Sequence, residues 1–385
     1  MAKQRSARTI AAANGIATDK TYGSVAPPLY LSSTYAFEGF ERPRAYDYSR
    51  TANPSRAMLA DTLAQLERGA GAVVTASGMA AVDLVLSQAS PQSLIVAPHD
   101  CYAGTYRLLA ERMARGHLRV SFVDQGDPAA LAAALAQEPA LVLIETPSNP
   151  LMRIADIRQI SAASKAAGAK VAVDNTFLSP ALQQPIALGA DYVIHSTTKF
   201  LNGHSDVVGG AVVAARSEDV AALAYWANVT GVTGAPFDSY LTLRGIRTLF
   251  ARLEVQQRTA GVLANWLDAH KLVRKAHYPG LASHSGHQLA RAQQAGFGAM
   301  LSFELDASGP DVKRFLEGLK VITLAESLGG VETLISHAAT MTHAVMSAEA
   351  RERAGIGATL LRLSVGLEEE ADLLSDLEQA FALIS

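Results

Sequence analysis

Short apolar runs separated by helical stretches fill the middle of the chain. From about residue 61, runs rich in branched apolar residues alternate with stretches of helical spacing and with turns rich in Gly, Ser, Asn and Asp. Seven of these runs are predicted as strands: 72–75, 93–97, 119–123, 141–145, 170–174, 191–195 and 210–214. They lack the apolar–polar alternation of half-exposed strands, so we expect them to be buried on both faces. The pattern predicts an α/β fold, with a mostly parallel seven-stranded sheet covered by helices.

The pattern is different at the two ends of the chain. The first sixty residues are rich in Pro, Ser, Thr and Tyr and show no sustained periodicity, so we expect an extended arm there. A helical stretch at 246–270 ends the strand–helix pattern, and a helix at 311–319 and a strand at 360–365 follow it. We therefore divide the chain into an arm (1–60), a larger α/β domain (61–247) and a smaller C-terminal α/β domain (248–385).

The composition excludes several classes of protein. The chain has 385 residues, of which 49% are hydrophobic and 18% are charged, and its formal net charge is −3. A folded globular protein has this composition, whereas a nucleic-acid-binding surface needs clustered basic residues. Cys101 is the only cysteine, so neither an intrachain disulfide nor a thiolate zinc site is expected. His337 and His343 have no nearby carboxylate to complete a ligand set, so we expect no metal site.

No segment has the sequence of a membrane anchor or an export signal. The apolar runs fall short of the ~20 consecutive apolar residues that a membrane helix needs. Residues 9–17 are too weakly apolar for the core of a signal peptide. We therefore expect a cytoplasmic protein that binds neither membranes nor nucleic acid.

Polar side chains stand at or just beyond the ends of three consecutive predicted strands. They are Asn149, Asp174 and Lys199. Ligands of open parallel sheets gather beyond the carboxyl ends of the strands. We therefore expect the chemistry of the protein at this edge of the sheet.

Lys199 lies among apolar residues and small hydroxyl residues. Desolvation lowers the pKa of a lysine, and its amine is then a nucleophile toward a carbonyl group. Asp174, which ends the preceding predicted strand, is placed to pair with a cationic ring nitrogen. Together the two residues supply the attachment that pyridoxal phosphate (PLP) needs. The alternative is that Asp174 caps a turn and that Lys199 is a solvated loop residue.

The sequence SGM at 77–79 follows a predicted strand and begins a helix. A helix N-terminus presents unpaired N–H groups to an anion, and Gly78 lets the backbone approach closely. The hydroxyls of Ser196 and Thr198 are further candidate donors to a phosphate. The alternative is a simple helix N-cap at Ser77.

Two more side chains fit a small-molecule site. Tyr102, just beyond the strand at 93–97, can stack on a planar ring and take part in proton transfer, or it is a packing tyrosine. Arg362 lies within an apolar strand, where its planar guanidinium fits a carboxylate with two hydrogen bonds. The alternative for Arg362 is a structural ion pair.

Seven short sequences resemble one enzyme family along essentially the whole chain. They are YDYSR (46–50), SGM (77–79), PHDCY (98–102), ETPSNP (145–150), VDNTF (173–177), HSTTKFLNGH (195–204) and SLGGVE (327–332). In combination they are similar to the Cys/Met-metabolism family of PLP-dependent enzymes. The resemblance implies the type I fold of PLP-dependent transferases, which is like that of aspartate aminotransferase. It also implies that the domain at 61–247 binds PLP.

The resemblance implies a role for each matching residue. Lys199 forms the Schiff base with PLP and carries protons, Asp174 pairs with the pyridinium nitrogen, and Tyr102 stacks on the ring. The residues implied in cofactor binding are Tyr48, Arg50, Ser77, Gly78, Met79, Tyr102, Asn149, Asp174, Thr176, Ser196, Thr198 and Lys199. Those implied in binding a small amino-acid substrate are Arg107, Asn149, Glu326, Ser327 and Arg362.

The resemblance further implies an assembly. The family is usually a homotetramer built as a dimer of dimers, with active sites shared within each dimer. Tyr48 and Arg50 are then expected to reach the phosphate of the neighbouring subunit, which accounts for an extended arm at 1–60.

The sequences GHSDVV (203–208) and ISHAATMTH (335–343) are most similar to the branch of the family that makes cystathionine. This resemblance implies γ-replacement, in which O-succinyl-L-homoserine and L-cysteine give L-cystathionine and succinate. Cleavage of cystathionine at its β or γ carbon, and sulfhydrylation of an acyl-homoserine, stay open because these activities share the cofactor residues. Gly104 stands where family members that cleave methionine generally carry a cysteine, which counts against that activity.

Overall fold

The computed structural model describes residues 5–344 and 346–384. The strands within these ranges are β1 (Gly71–Thr75), β2 (Leu94–Pro98), β3 (Arg119–Val123), β4 (Leu141–Glu145), β5 (Lys170–Asp174), β6 (Tyr192–Ser196), β7 (Gly210–Ala214), β8 (Val273–His277), β9 (Met300–Leu305), β10 (Thr323–Leu324), β11 (Leu334–His337) and β12 (Leu360–Ser364). The helices are α1 (Ala7–Ala13), α2 (Pro54–Glu67), α3 (Gly78–Leu86), α4 (Ala103–Ala114), α5 (Pro128–Leu135), α6 (Ile157–Ala166), α7 (Ser179–Leu182), α8 (Ser217–Thr230), α9 (Pro236–Ile246), α10 (Leu249–Asp268), α11 (His287–Gln293), α12 (Gly309–Gly318), α13 (Ala348–Ala354) and α14 (Glu370–Ala382), with a 3₁₀ helix at Pro185–Leu188.

The α/β fold predicted from the sequence is confirmed, and β1–β7 match the seven predicted strands to within one residue at each end. Residues of β2, β4, β5, β6 and β7 are largely buried, as expected for strands covered on both faces. By its contacts the chain divides into two units. The first unit consists of two segments, the chain up to Ser90 and Lys170–Phe250. The second unit also consists of two segments, Pro91–Ala169 and the chain from Ala251 onward. The three-part division at residues 60 and 247 stays a prediction.

The described residues of the first unit form four strands in the order β1-β7-β6-β5. Strands β5 and β6 are parallel, with Asp174 opposite Ile194, and β7 runs antiparallel to both β6 and β1. Helix α2 packs on β1 and α9, and α3 packs on β6 and β7. Asp174 and Ser196 are the last residues of two adjacent parallel strands, so the fold brings the ends of these strands side by side.

The second unit contains two sets of strands. Strands β4, β2 and β3 are parallel in that order. The order β10-β11-β12-β9-β8 describes a five-stranded sheet in which β12 runs antiparallel to both of its neighbours. Phe303, Phe315 and Phe381 pack their rings together in the core against this sheet. Arg362 belongs to β12, the middle strand of this five-stranded sheet, and only 3% of the residue is exposed.

Residues 5–60, for which an extended arm was expected, contain helix α1 and the first part of helix α2. Helix α1 forms because Ser6 accepts a hydrogen bond from the Thr9 N–H and the following residues are mainly alanine. Helix α2 begins at Pro54, because the Asn53 side chain accepts from the N–H groups of Ser55 and Arg56. Between α1 and α2 the backbone is irregular, with an isolated bridge between Thr34 and Tyr48.

Within residues 5–344 and 346–384, no helix is both long and apolar enough to cross a membrane. The same residues contain no group of three or more His, Cys, Asp or Glu side chains that could hold a metal ion.

Candidate active site

Asp174 lies at the end of β5, in the first unit. One of its carboxylate oxygens accepts a hydrogen bond from the Thr176 N–H (2.9 Å), and the Thr176 hydroxyl accepts one from the Ser196 N–H (2.9 Å). Burial raises the pKa of Asp174, while its hydrogen bonds with Thr176 and the charge of His195 act in the opposite direction. A carboxylate in this setting is stabilised by a nearby cation. It therefore fits a protonated pyridine nitrogen.

A buried polar network supports the ends of β5 and β6. The Glu67 carboxylate is 2.7 Å from Nε2 of His195 and accepts a hydrogen bond from the Asn175 amide (2.8 Å). The Gln183 amide donates to the Asn175 side-chain oxygen (3.0 Å). Glu67, Asn175 and His195 are fully buried. The sequence analysis missed this network, because Glu67 is the last residue of a helix of mixed polar and apolar composition and nothing in that pattern marks it as buried.

Helix α3 begins against Ser196. Ser77 is its N-cap and accepts from the Ala80 N–H (3.1 Å), so the cap given above as the alternative is present. A Cβ atom at Gly78 would lie only 2.7 Å from the Ser196 Cβ, so only glycine fits there without a shift of the backbone or of Ser196. Gly78 and Met79 are the first two residues of the helix, where N–H groups lack partners within the helix. This arrangement fits a phosphate group.

Lys199 lies in the turn that follows β6. Its N–H donates to the Ser196 carbonyl (3.2 Å), and its carbonyl accepts from the Gly203 N–H (2.8 Å). The Thr198 hydroxyl donates to the Gly209 carbonyl (3.2 Å) and accepts from the Gly209 N–H (3.0 Å). Because the hydroxyl proton of Thr198 is engaged by Gly209, a contact of this residue with a phosphate stays a prediction.

Tyr48 and Arg50 lie together at the surface of the first unit. The Arg50 guanidinium is 5.4 Å from the centre of the Tyr48 ring, and its Nε donates to the Asn228 side-chain oxygen (3.0 Å). Tyr48 is 46% exposed. Their expected contact with a neighbouring subunit stays a prediction.

In the second unit, Arg362 holds Asn149 and the backbone at Ser327. One of its terminal nitrogens donates to the Asn149 side-chain oxygen (3.0 Å), and the other donates to the Ser327 carbonyl (2.9 Å). Its Nε is buried and has no hydrogen-bond partner among the described residues. Burial lowers the pKa of Arg362 to about 10. A buried, oriented guanidinium with an unpaired donor fits a small carboxylate.

Asn149 is held through its backbone as well as its side chain. Its N–H donates to the Glu145 carboxylate (3.1 Å), and its carbonyl accepts from Nε2 of His343 (3.1 Å). Burial, together with the charge of Arg362, lowers the pKa of His343 to about 4. Neither Glu145 nor His343 was assigned a role from the sequence.

Tyr102 is the N-cap residue of α4 and is 43% exposed. Partial burial raises the pKa of its phenol, and Glu326 raises it further, while Arg107 and Arg362 act in the opposite direction. Arg107 and Glu326 are both exposed. The hydrogen bonds of Arg362 thus join Asn149 and Ser327, and the charges of Arg107, Glu326 and Arg362 act on the pKa of the Tyr102 phenol.

Ser327 has a strained backbone. Its φ angle is +88°, which is uncommon for a residue other than glycine. Its carbonyl accepts a hydrogen bond from Arg362, and the N–H of Gly329, two residues further along the chain, donates to the Ser364 hydroxyl (2.8 Å). Strain of this kind persists where the surroundings impose it, and it is frequent at functional sites.

A family model described as Cys/Met metabolism PLP-dependent enzyme matches residues 8–382. The chain is 57% identical to the cystathionine γ-synthase of Escherichia coli over 98% of each chain. It is 46% identical to a cystathionine β-lyase of Lactococcus lactis, over 95% of this chain and 96% of the relative. A crystal structure of cystathionine γ-synthase from Xanthomonas oryzae pv. oryzae in complex with cystathionine superposes with a TM-score of 0.97, at 54% identity, over 99% of this chain and all of that one.

Proposed function

We infer the function from one premise: the chain belongs to the Cys/Met-metabolism family of PLP-dependent enzymes. It is accordingly a PLP-dependent enzyme that acts on small amino-acid substrates. Its reaction is the γ-replacement of the cystathionine γ-synthases, in which O-succinyl-L-homoserine and L-cysteine give L-cystathionine and succinate. The observation that carries this conclusion is the full-length similarity to the Escherichia coli enzyme.

We propose that the cofactor is held by the residues described in the first unit. Lys199 attaches it through the side-chain amine, Asp174 pairs with the ring nitrogen, and the N-terminus of α3 at Gly78 receives the phosphate. Bound PLP supplies an electron sink for the electron pairs left when protons leave Cα and Cβ of the substrate. The close approach of Gly78 to Ser196 and the raised pKa of Asp174 support this assignment.

We propose that the substrate is oriented by residues of the second unit. Arg362 binds the α-carboxylate through its planar guanidinium, whose direction Asn149 and Ser327 fix. Arg107 and Glu326 face the distal end of the substrate. Tyr102 stacks on the cofactor ring, and its raised pKa keeps the phenol protonated at neutral pH.

Proton transfer then completes the replacement. Once the amino group of the substrate has replaced Lys199 on the cofactor, the freed Lys199 amine would move one proton at a time, taking the proton from Cα and, after giving it up, the proton from Cβ. The bond from Cγ to the succinyl oxygen can then break, and succinate can leave. The sulfur of cysteine forms the new bond to Cγ, and protons return to Cβ and Cα. The proton of the thiol balances the charge of the departing carboxylate.

A second candidate is cleavage of cystathionine at its β or γ carbon. The similarity to the Lactococcus lactis β-lyase supports this second candidate, because that relative also matches over nearly the whole chain. Sulfhydrylation of an acyl-homoserine would need only a different thiol nucleophile. The tetramer and the cytoplasmic location remain predictions based on the resemblance.

Product analysis separates these activities. The PLP-loaded protein is incubated with O-succinyl-L-homoserine, with and without L-cysteine, and the products are identified by mass spectrometry. Cystathionine formed only with cysteine, and 2-oxobutyrate formed in its absence, are the expected results. Consumption of added cystathionine without either product would contradict the proposal, because it would identify a lyase. Replacing the succinyl ester by the acetyl ester determines which donor is used.

A further inference from the structure

Glu145 connects two residues that are assigned to the cofactor and the substrate. It is the last residue of β4, and its two carboxylate oxygens accept hydrogen bonds from two different backbone N–H groups. One bond comes from Tyr102 (2.7 Å) and the other from Asn149 (3.1 Å). A single carboxylate thus fixes the start of α4 and the loop that follows β4.

The bonds of Glu145 extend into a longer chain of contacts. Asn149 accepts a hydrogen bond from Arg362 (3.0 Å), and Arg362 also donates to the Ser327 carbonyl (2.9 Å). The ring of Tyr102 and the guanidinium of Arg362 are therefore positioned relative to each other through Glu145 and Asn149. A shift of Glu145 would move both groups.

The negative charge of Glu145 strengthens the two hydrogen bonds that its carboxylate accepts. Hydrogen bonds to an ionised carboxylate are stronger than those between neutral groups. Glu145 also raises the pKa of the Tyr102 phenol, although burial and Glu326 contribute more and Arg107 and Arg362 oppose it.

We propose that Glu145 is a positioning residue, which aligns the ring of Tyr102 with Asn149 and Arg362 by accepting one backbone hydrogen bond with each carboxylate oxygen. It contacts neither the substrate nor the cofactor in this role. The proposal rests on the proposed function, because it takes from it the roles of Tyr102 and Arg362.

Two substitutions separate the length of Glu145 from its charge. Glu145→Gln keeps the length of the side chain, but its amide nitrogen can only donate a hydrogen bond. This nitrogen would face one of the two backbone N–H groups, and that hydrogen bond would be lost. Glu145→Asp keeps the charge, but the shorter side chain does not reach both nitrogens. Positioning by two acceptors requires length and charge together, so both variants are expected to be impaired.

The first measurement does not depend on the reaction. Each PLP-loaded variant is examined by absorbance and circular dichroism in the visible range, where the signal reports the orientation of the bound ring. Its dissociation constant for PLP is measured by titration. We expect an altered dichroic signal for both variants and a dissociation constant about 10- to 100-fold higher, the loss typical of a hydrogen bond to a charged group. An unchanged dichroic band and an unchanged dissociation constant in both variants would overturn the proposal.

The second measurement uses the reaction. We expect kcat for γ-replacement to fall about 10- to 100-fold in both variants, because small misplacements of reacting groups reduce rates by such factors. A second outcome would also overturn the proposal: Glu145→Asp has wild-type values while Glu145→Gln is impaired. In that case only the charge of Glu145 matters, and the two separate hydrogen bonds to its oxygens do not. If the wild-type chain shows no γ-replacement, the proposed function fails, but the dichroism and PLP titration still test Glu145.

Two controls separate positioning from general loss of structure. Glu111→Gln changes an exposed glutamate on α4 and is expected to match the wild type in every measurement. Ser148→Ala removes a hydrogen bond to Asp100 (2.8 Å) from the same loop as Asn149. A change in the dichroic signal of Ser148→Ala as large as that of Glu145→Gln would contradict a specific role for Glu145. If Glu145→Gln does not fold, as judged by far-ultraviolet dichroism, Glu145→Asp decides between the outcomes.

Discussion

Arg362 shows how one residue combines burial, direction and charge. Its guanidinium lies in the middle strand of a sheet and donates to two neutral oxygens, those of Asn149 and Ser327. The protein therefore holds the guanidinium in one orientation. This pre-organisation reduces the entropy that is lost when a carboxylate binds.

Replacing Arg362 by lysine is expected to weaken substrate binding selectively. Lysine keeps the charge but lacks the planar fork, so it cannot hold Asn149, Ser327 and a carboxylate together. We expect KM for O-succinyl-L-homoserine to rise about 10- to 100-fold. Steady-state kinetics of Arg362→Lys measure this value. Arg258→Lys, at an exposed position on α10, is the matched control. An unchanged KM in Arg362→Lys would contradict the assignment.

His343 is expected to make stability depend on pH. Its pKa is lowered from 6.5 to about 4 in the folded protein, so the unfolded chain binds the proton more readily. The stability contributed by neutral His343 is present above about pH 6.5 and is lost as the pH falls toward 4. We expect this loss to reach about 3 kcal/mol.

Denaturant unfolding between pH 7 and pH 4 tests this expectation. His343→Gln does not titrate in this range, so its free energy of unfolding should fall less steeply than that of the wild type. Parallel curves for the two proteins would show that His343 is not responsible. His284, whose pKa is also lowered to about 4, is present in both proteins and cancels in the comparison.

Some candidate residues could be selected from the sequence alone, and others could not. Lys199, Asp174 and Arg362 were selected because a charged side chain inside an apolar run, or at its end, needs a reason; their roles stay predictions. Glu145 and His343 were not recognised, since each binds backbone groups of residues distant in sequence. Such backbone contacts leave no pattern of side-chain types that a sequence shows.

The junction of α3 with β6 is the element-scale feature on which the proposed phosphate site depends. The helix begins close to Ser196 because residue 78 has no side chain. The same closeness places the first N–H groups of the helix beside the end of β6. The position of α3 relative to β6 thus depends on the missing Cβ atom of Gly78.

Gly78→Ala is expected to damage both folding and cofactor binding. The added Cβ would meet Ser196 at 2.7 Å and force a shift of the helix or the strand. We expect a loss of about 1–3 kcal/mol in the free energy of unfolding and a raised dissociation constant for PLP. Denaturant unfolding and PLP titration measure the two effects.

The matched control is Gly261→Ala in the interior of α10. A Cβ there meets no atom within 4 Å. This substitution is expected to stabilise the protein by about 0.5–1 kcal/mol, because alanine favours the helix. Equal effects at both glycines would show that the contact with Ser196 is unimportant.

At the scale of elements, strands were predicted more accurately than helix ends. Buried parallel strands are short apolar runs, and their limits are visible in the sequence. The helical stretch predicted at 246–270 corresponds to α10, which begins later, at Leu249, and ends earlier, at Asp268. Helices such as α1 and α2 begin where a side chain caps the backbone, and this depends on local geometry as well as residue type.

The segment between α1 and α2 bears on the state of the whole molecule. Tyr22 and Phe40 are each 91% exposed, and Leu31 is 66% exposed. Large apolar side chains grouped at a surface are typical of interfaces. Their exposure supports the prediction that this segment contacts a neighbouring subunit.

The full chain is expected to form a homotetramer. Light scattering coupled to size exclusion should give the mass of four chains of 40.5 kDa. Phe40→Ser, which removes an exposed ring from this segment, should shift the mass toward smaller assemblies at low concentration. The exposed Phe237→Ser, on α9, is a comparison outside the segment. A monomer with full activity would contradict the roles given to Tyr48 and Arg50.

The buried pair of Glu67 and His195 has a consequence for how this sequence can change over evolution. Loss of either partner leaves the other buried without this hydrogen bond, which is costly. Replacement of both by apolar residues of similar volume leaves neither partner unpaired, so it costs less than the sum of the two single losses, although the Asn175 amide still loses its Glu67 acceptor. Positions 67 and 195 are therefore expected to show epistasis, so that a substitution harmful by itself becomes acceptable once its partner has changed.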